Sequence, residues 1–255
     1  MNSVLKKIDI LDVKVDNVVL NDVIDVIKKS IKEKKFCNIV SINALTGIQA
    51  KRDKEFKKIM NTANLVLADG MGIILASKLL GKSLKERIAG IDLIPRLCKF
   101  SEENGSSIFF FGSLPGIVED AILKLKQKFP KMNVSGVQNG YFDKNMEGEI
   151  INRINSSATD ILLVGLGQPR QEKWIYNNRD KINSVCIGVG GSFDVISGRV
   201  SRAPKILQEL GLEWLYRLIL QPYRFKRILW LPYFIWLVLV EFLNAKWKSK
   251  NVKLM

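Results

Sequence analysis

The sequence predicts an α/β fold, a doubly wound, mainly parallel sheet of the Rossmann-like kind with a C-terminal helical membrane-associating appendage. Three observations carry this. Short runs rich in Ile, Val, Leu and Phe alternate with helix-period stretches as far as residue 195, the rhythm of βαβ units. Several of those runs are unbroken by polar residues, as strands covered on both faces should be. The segment after that point turns basic and aromatic and loses the rhythm.

In chain order, residues 8–20 (IDILDVKVDNVVL) alternate and read as one or two short strands. Asn21 is a candidate helix cap, with Val23, Ile24, Ile27 and Ile31 on one face of a helix to about Lys34. FCNIVSI (36–42) is a buried strand, 44–61 a helical stretch, and NLVLA (64–68) a strand ending at Asp69-Gly70. Helix is expected over Met71–Leu80 and Asp92–Glu103, separated by the loop GKSLKERIAG. Strand 106–111, helix 117–128, strand 132–137, helix 147–154, strand 160–166, helix 171–178 and strand 184–189 complete the series. Ligands in such sheets bind at the carboxyl ends of the strands. Those ends carry Ser41 and Asn43, Asp69-Gly70, Gly112-Ser113, Gly140-Tyr141, the run Gly165 to Glu172, and Gly190 to Asp194.

A chain of 255 residues allows one domain with an appendage, and the change of pattern divides it into 1–197 and 198–255. Hydrophobic residues at 47% and charged residues at 25% exclude a mainly disordered chain, a collagen and a polytopic membrane protein. The chain has no histidine, so Ser-His-Asp triads, Cys-His pairs and His-bearing metal sites are impossible. A net charge of +15 calls for an anionic partner: nucleic acid, anionic lipid or a phosphorylated substrate. Cys37, Cys98 and Cys186 are scattered and read as reduced thiols of a cytoplasmic protein. The charged N-terminus does not read as a signal peptide.

In the appendage, ILWLPYFIWLVLV (228–240) is fully apolar but short and interrupted by Pro232. A spanning helix needs roughly 20 apolar residues, so a peripheral, membrane-surface segment flanked by Arg and Lys is expected. A helix pair packed on the core or on another subunit is the alternative.

Several residues are placed for chemistry. Asp69, at the end of an apolar strand, is either a partly desolvated general base or the cap of the next helix. Arg87 is either a phosphate ligand or a surface charge. FGSLPG (111–116) is either a phosphate-holding loop or an ordinary strand-helix turn. GLGQPRQE (165–172) crowds Gln168, Arg170, Gln171 and Glu172 onto one strand end, and GVGGSFD (188–194) lets a ligand approach the backbone beside Asp194. Asp-x-Asp, a common carboxylate pair for a nucleotide-sugar metal ion, does not occur. Glu147-Gly-Glu149 reads as favourable helix-end charge, so no metal and no cofactor are expected.

Taken together, SINAL (41–45), LADGMGI (67–73), ERIAGIDL (86–93), FFGSLPG (110–116), GYF (140–142), DILLVGLGQPRQEKWI (160–175), GVGGSFDVISG (188–198), RAPK (202–205) and LEWLYRL…QPYRFKR (212–227) resemble the WecG/TagA/CpsF family, glycosyltransferase family 26. The resemblance implies a metal-independent, inverting transferase. It would move a sugar, with N-acetylmannosamine foremost, from a UDP-sugar to undecaprenyl-diphosphate-N-acetylglucosamine at the cytoplasmic membrane face. Wall teichoic acid or a related surface polysaccharide would be the product. UDP-ManNAc-uronic acid, UDP-glucuronic acid and UDP-glucose are the alternative donors.

By the same resemblance Asp69 is the base and Arg87 steadies the leaving diphosphate. Ser41, Asn43 and Gln171 line the pocket. Tyr141 and Asp194 are read as the uracil site from their own chemistry, a ring that can stack and a carboxylate that can accept from N3–H. Arg217, Arg224 and Arg227 sit just before the apolar run, and that position places them at the lipid diphosphate or the membrane headgroups. The charge then suits a nucleotide diphosphate, a lipid diphosphate and an anionic bilayer, with no nucleic acid. A homo-oligomer stays open. Removal of everything after about Ser197 is expected to leave a soluble, folded domain.

Overall fold

A computed structural model describes residues 5–222 and 225–252, with side chains as far as Trp247. Arg224 lies outside the described residues. The chain opens with an antiparallel hairpin, β1 (Lys7–Ile10) and β2 (Val13–Asp16). Six further strands form one sheet: β3 (Cys37–Ile42), β4 (Leu65–Ala68), β5 (Ser107–Gly112), β6 (Asn133–Asn139), β7 (Ile161–Gly165) and β8 (Val185–Gly188). Their order is β4-β3-β8-β7-β5-β6 and all five pairings are parallel. The doubly wound expectation holds.

Side-chain alternation explains how both faces are covered. Ile39, Leu65, Leu67, Ile108, Phe110, Ile161, Leu163, Val185 and Ile187 point to one face. There they meet α1 (Leu20–Lys32), α5 (Gly90–Asn104), α6 (Ile117–Lys128) and α9 (Ser192–Ile196). Val40, Ile42, Val66 and Ala68 point the other way, to the hairpin, α2 (Ala44–Arg52), α3 (Lys54–Thr62) and α4 (Met71–Leu79). Phe109, Phe111, Leu162, Val164 and Cys186 meet α7 (Glu147–Ser156) and α8 (Arg170–Asn177). The hairpin is pinned to the sheet by Asp16, whose buried carboxylate accepts the Val66 N–H at 2.8 Å and faces Lys7 at 3.4 Å. All three cysteines are buried, and burial pushes the Cys98 thiol up to about 12.

Local chemistry moves some boundaries. Asn21 does not cap α1: the cap is Val19, whose N–H donates to the Asp22 carboxylate at 2.9 Å. The single helix expected over 44–61 breaks into α2 and α3, because the Asp53 carboxylate accepts the Phe56 N–H at 3.0 Å and starts a new helix. Helix α5 begins at Gly90, two residues before Asp92.

The C-terminal segment is helical, with α10 (Lys205–Glu209), α11 (Glu213–Leu220), α12 (Phe225–Ile228) and α13 (Leu231–Val252). Pro232 does not interrupt α13. It occupies the first turn, where its missing N–H is not needed. The stretch Phe225–Trp247, 23 residues, is therefore long and apolar enough to cross a membrane, and the length argument against a span does not hold. One face of α13 is nonetheless docked on the body: Phe234, Leu237 and Val238 are buried in the cluster formed by the hairpin, α2 and α4. Glu241 accepts the Leu11 N–H of the hairpin at 3.0 Å. Ile235, Trp236, Leu239, Leu243 and Trp247 stay exposed on the other faces.

Candidate active site

The site forms where neighbouring strands send their connections in opposite directions. β5 leads outward to the edge strand β6, while β7 leads inward to β8, which opens a crevice above the carboxyl ends. Here the backbones crowd together. Gly112 has φ 141°, and a Cβ on it would stand 2.4 Å from the Gly165 carbonyl carbon, so no other residue fits.

On one side of the site, Asp69 follows β4. Its helix-capping alternative is ruled out, because α4 is capped by Gly70 with no side-chain hydrogen bond. The Ile88 N–H donates to the Ala68 carbonyl at 2.8 Å, which draws the loop carrying Arg87 alongside Asp69. Burial raises the Asp69 carboxyl to about 6, Arg87 and Arg217 pull it down, and Glu213 and Asp92 push it up. That places it close to the range where a carboxylate works as a base at neutral pH.

Arg87 is not a surface charge; its side chain is only 20% exposed. It stands between two carboxylates, 3.6 Å from Asp92 and 3.6 Å from Glu213. Glu213 also holds Arg217 at 2.7 Å, one helical turn on in α11. Asp92 also holds Arg202 at 2.6 Å. Five alternating charges thus run in a row beside Asp69, three of them supplied from beyond residue 197. Arg217 belongs to this group. Arg227 lies on exposed α12, and no described contact links it to the row.

In the middle of the site, the loop after β7 ties the strand ends together. The Gln168 amide donates to the Ser41 carbonyl at 3.0 Å and accepts from the Thr46 hydroxyl at 2.7 Å and from Asn43 at 3.3 Å. The Asn43 carbonyl oxygen meanwhile caps α2, accepting from the Leu45 and Thr46 N–H groups. Gln171 is 1% exposed. It accepts the Gly190 N–H at 3.0 Å and donates to Glu172 at 2.8 Å, so it braces the loop after β8. Glu172 is fully buried, and burial raises its carboxyl to about 7.

On the far side, Gly140, Tyr141, Phe142, Asp143, Met146 and Arg170 line an open hollow of about 410 Å³. Tyr141 is 67% exposed, and the Arg170 guanidinium sits 5.2 Å from the Phe142 ring centroid. Ser113 connects this hollow to Asp194: its carbonyl accepts the Gly140 N–H at 2.8 Å, and its hydroxyl donates to the Asp194 carboxylate at 3.3 Å. Ser113 has φ 51°, an uncommon conformation for a residue with a Cβ.

The structure therefore brings Asp69, Arg87 and Arg217 together, and Ser41, Asn43, Gln171, Tyr141 and Asp194 all stand at the strand ends. Sequence reasoning missed Asp92, Arg202 and Glu213 as site residues, and placed Ser113 at a strand end without its link to Asp194. Glu213 and Arg217 carried a legible signal, an acid four residues before a base on one helix. The model of the glycosyl transferase WecG/TagA/CpsF family matches residues 8–248. The chain belongs to that family.

Relatives within the WecG/TagA/CpsF family carry a specific name, N-acetylglucosaminyldiphosphoundecaprenol N-acetyl-beta-D-mannosaminyltransferase. The protein of that name from Bacillus subtilis strain 168 is 35% identical over 230 residues, 89% of each chain. The Bacillus spizizenii W23 protein is 36% identical over 202 residues, 79% of this chain and 78% of its own. The Staphylococcus aureus NCTC 8325 protein is 32% identical over 250 residues, 97% of this chain and 96% of its own. The family match extends past residue 197 and so takes in α11, the helix that supplies Glu213 and Arg217.

Proposed function

We propose that this glycosyltransferase moves N-acetylmannosamine from a UDP-sugar to undecaprenyl-diphosphate-linked N-acetylglucosamine, at the cytoplasmic face of the membrane, in wall teichoic acid or related surface-polymer synthesis. The carrying observation is Asp69: a carboxylate raised to about 6 by burial, held at a strand end beside Arg87. The names of the relatives support the acceptor and the sugar. Membrane association is supported by the lipid nature of that acceptor and by the apolar C-terminal helix.

In the proposed reaction Asp69 takes the proton from the acceptor hydroxyl as its oxygen bonds to the anomeric carbon. The bond from that carbon to the diphosphate breaks, and UDP leaves with the electron pair. Arg87 and Arg217 offset its developing charge. A single displacement inverts the anomeric centre. Tyr141 and Asp194, linked by way of Gly140 and Ser113, suit the nucleobase: the ring offers a stacking face and the carboxylate an acceptor. Guanidinium groups take the part a metal ion plays elsewhere, so no metal or cofactor is required. Among the described residues, no three Cys, Asp or Glu side chains gather as metal ligands.

The test is a donor screen: UDP release from a panel of UDP-sugars with a short-chain lipid-diphosphate-N-acetylglucosamine. Turnover with UDP-N-acetylmannosamine above all others is expected. Preference for UDP-glucose or a uronic-acid donor would reject the sugar assignment.

A further inference from the structure

Arg202 stands out among the charges of the site. It shares Asp92 with Arg87: Arg202 binds one carboxylate oxygen at 2.6 Å and Arg87 faces the other at 3.6 Å. Two guanidinium groups thus flank one carboxylate, an arrangement in which both can turn to a single polyoxyanion that takes its place. The Arg202 Nε–H is buried and has no hydrogen-bond partner. A buried donor left unsatisfied is costly, which makes it a group awaiting an acceptor. The position is firmly held: Ala203 is buried, and its carbonyl accepts from Gln208 at 2.6 Å. Asp92, by contrast, has a half-open side chain and serves as a counterion that an incoming anion can replace.

We propose that Arg202 is a diphosphate-binding residue of this site, acting with Arg87 from the opposite side of Asp92. The inference rests on the reading of this pocket as the place where a diphosphate is handled. The same chemistry is offered by the nucleotide donor and by the lipid acceptor, and the experiment separates them.

Binding is measured without turnover, on the full chain in mild detergent, by calorimetry with two probes, UDP and farnesyl diphosphate. Arg202→Gln should raise Kd about tenfold or more for at least one probe, the scale of losing a charge-assisted hydrogen bond. Loss for UDP alone assigns the donor, loss for farnesyl diphosphate alone assigns the acceptor, and loss for both makes the residue common to the two. Arg202→Lys, which keeps the charge without the fork, should show part of the loss and stands in if Arg202→Gln fails to fold. Asp92→Asn is the discriminating variant. If Arg202 binds ligand, removing its counterion leaves Kd unchanged or lowers it. If Arg202 only braces Asp92, breaking the pair from either end weakens binding alike. Kd within twofold of wild type in both Arg202 variants, weakened binding in Asp92→Asn, or a wild-type protein that binds neither probe would each overturn the inference. A wrong donor sugar would silence turnover and leave these Kd values as they are.

Discussion

Replacing Phe234 by Ala tests how α13 is attached. Its ring is 5% exposed and lies against Gly47 of α2 and Gly72 of α4. Truncating a buried Phe costs about 3–5 kcal/mol, and a site at the margin of the core belongs near about 3. A chain of this size loses about 2–4 °C of Tm per kcal/mol, so Phe234→Ala should melt about 6–12 °C lower in mild detergent. The exposed Trp236, on another face of the same helix, supplies the contrast: Trp236→Ala should melt within about 2 °C of wild type and bind anionic vesicles less tightly. An unchanged Tm in Phe234→Ala would refute the docking argument and leave α13 free to insert. The same reasoning bears on truncation. Phe234, Leu237 and Val238 together contribute roughly 5–9 kcal/mol at about 1.5–3 each, as much as many domains have in total. Residues 1–197 alone should therefore unfold or aggregate, contrary to the expectation from pattern alone.

Three further outcomes follow from the charges at the strand ends. The Glu172 carboxyl is raised to about 7 from an ordinary 4.5, so its protonated form is favoured by folding; that contribution is full below about pH 4.5 and lost as pH rises through about 7. Glu172→Gln should gain stability relative to wild type between pH 5 and pH 8, with a limit of about 3 kcal/mol, and a difference in melting that stays flat with pH sinks the idea. The acid limb of the wild-type rate profile should fall near pH 6, where Asp69 protonates; Glu213→Gln should move it lower and Arg217→Gln higher, since the first pushes that carboxyl up and the second pulls it down. Shifts in the same direction would contradict the charge row. EDTA should leave the rate unchanged, and a loss restored by Mg²⁺ or Mn²⁺ would overturn leaving-group stabilisation by arginine alone.

Much of the fold was legible because most central strands are runs of apolar residues whose alternate members serve opposite layers, as in SIFFFG of β5. The hairpin, the parallel sheet and most helices follow from that and from turn residues. Helix ends were less legible: Asp53 splits a helical stretch by capping inside it, and Pro232 is harmless because a first turn does not need its N–H. Asp69, Arg87 and the polar strand ends could be found because chemistry-bearing residues sat just past apolar runs. The pairing of Asp92 with Arg202, and of Arg87 with Glu213, joins residues more than a hundred positions apart, and no local pattern announces it. Gln171 was legible as a strand-end residue but not as a buried brace, since burial there depends on how closely Gly188 lets it approach.

The central claim is that Asp69 is the base of a sugar transfer to a lipid-linked acceptor. The direct measurement is the rate of transfer from UDP-N-acetylmannosamine to a short-chain lipid-diphosphate-N-acetylglucosamine by Asp69→Asn, with the Kd for UDP measured on the same preparation. The account predicts a rate lowered by about 10²–10⁴-fold, the range for losing a general base, with UDP affinity near that of wild type. A rate within tenfold of wild type, at unchanged UDP affinity, would contradict it.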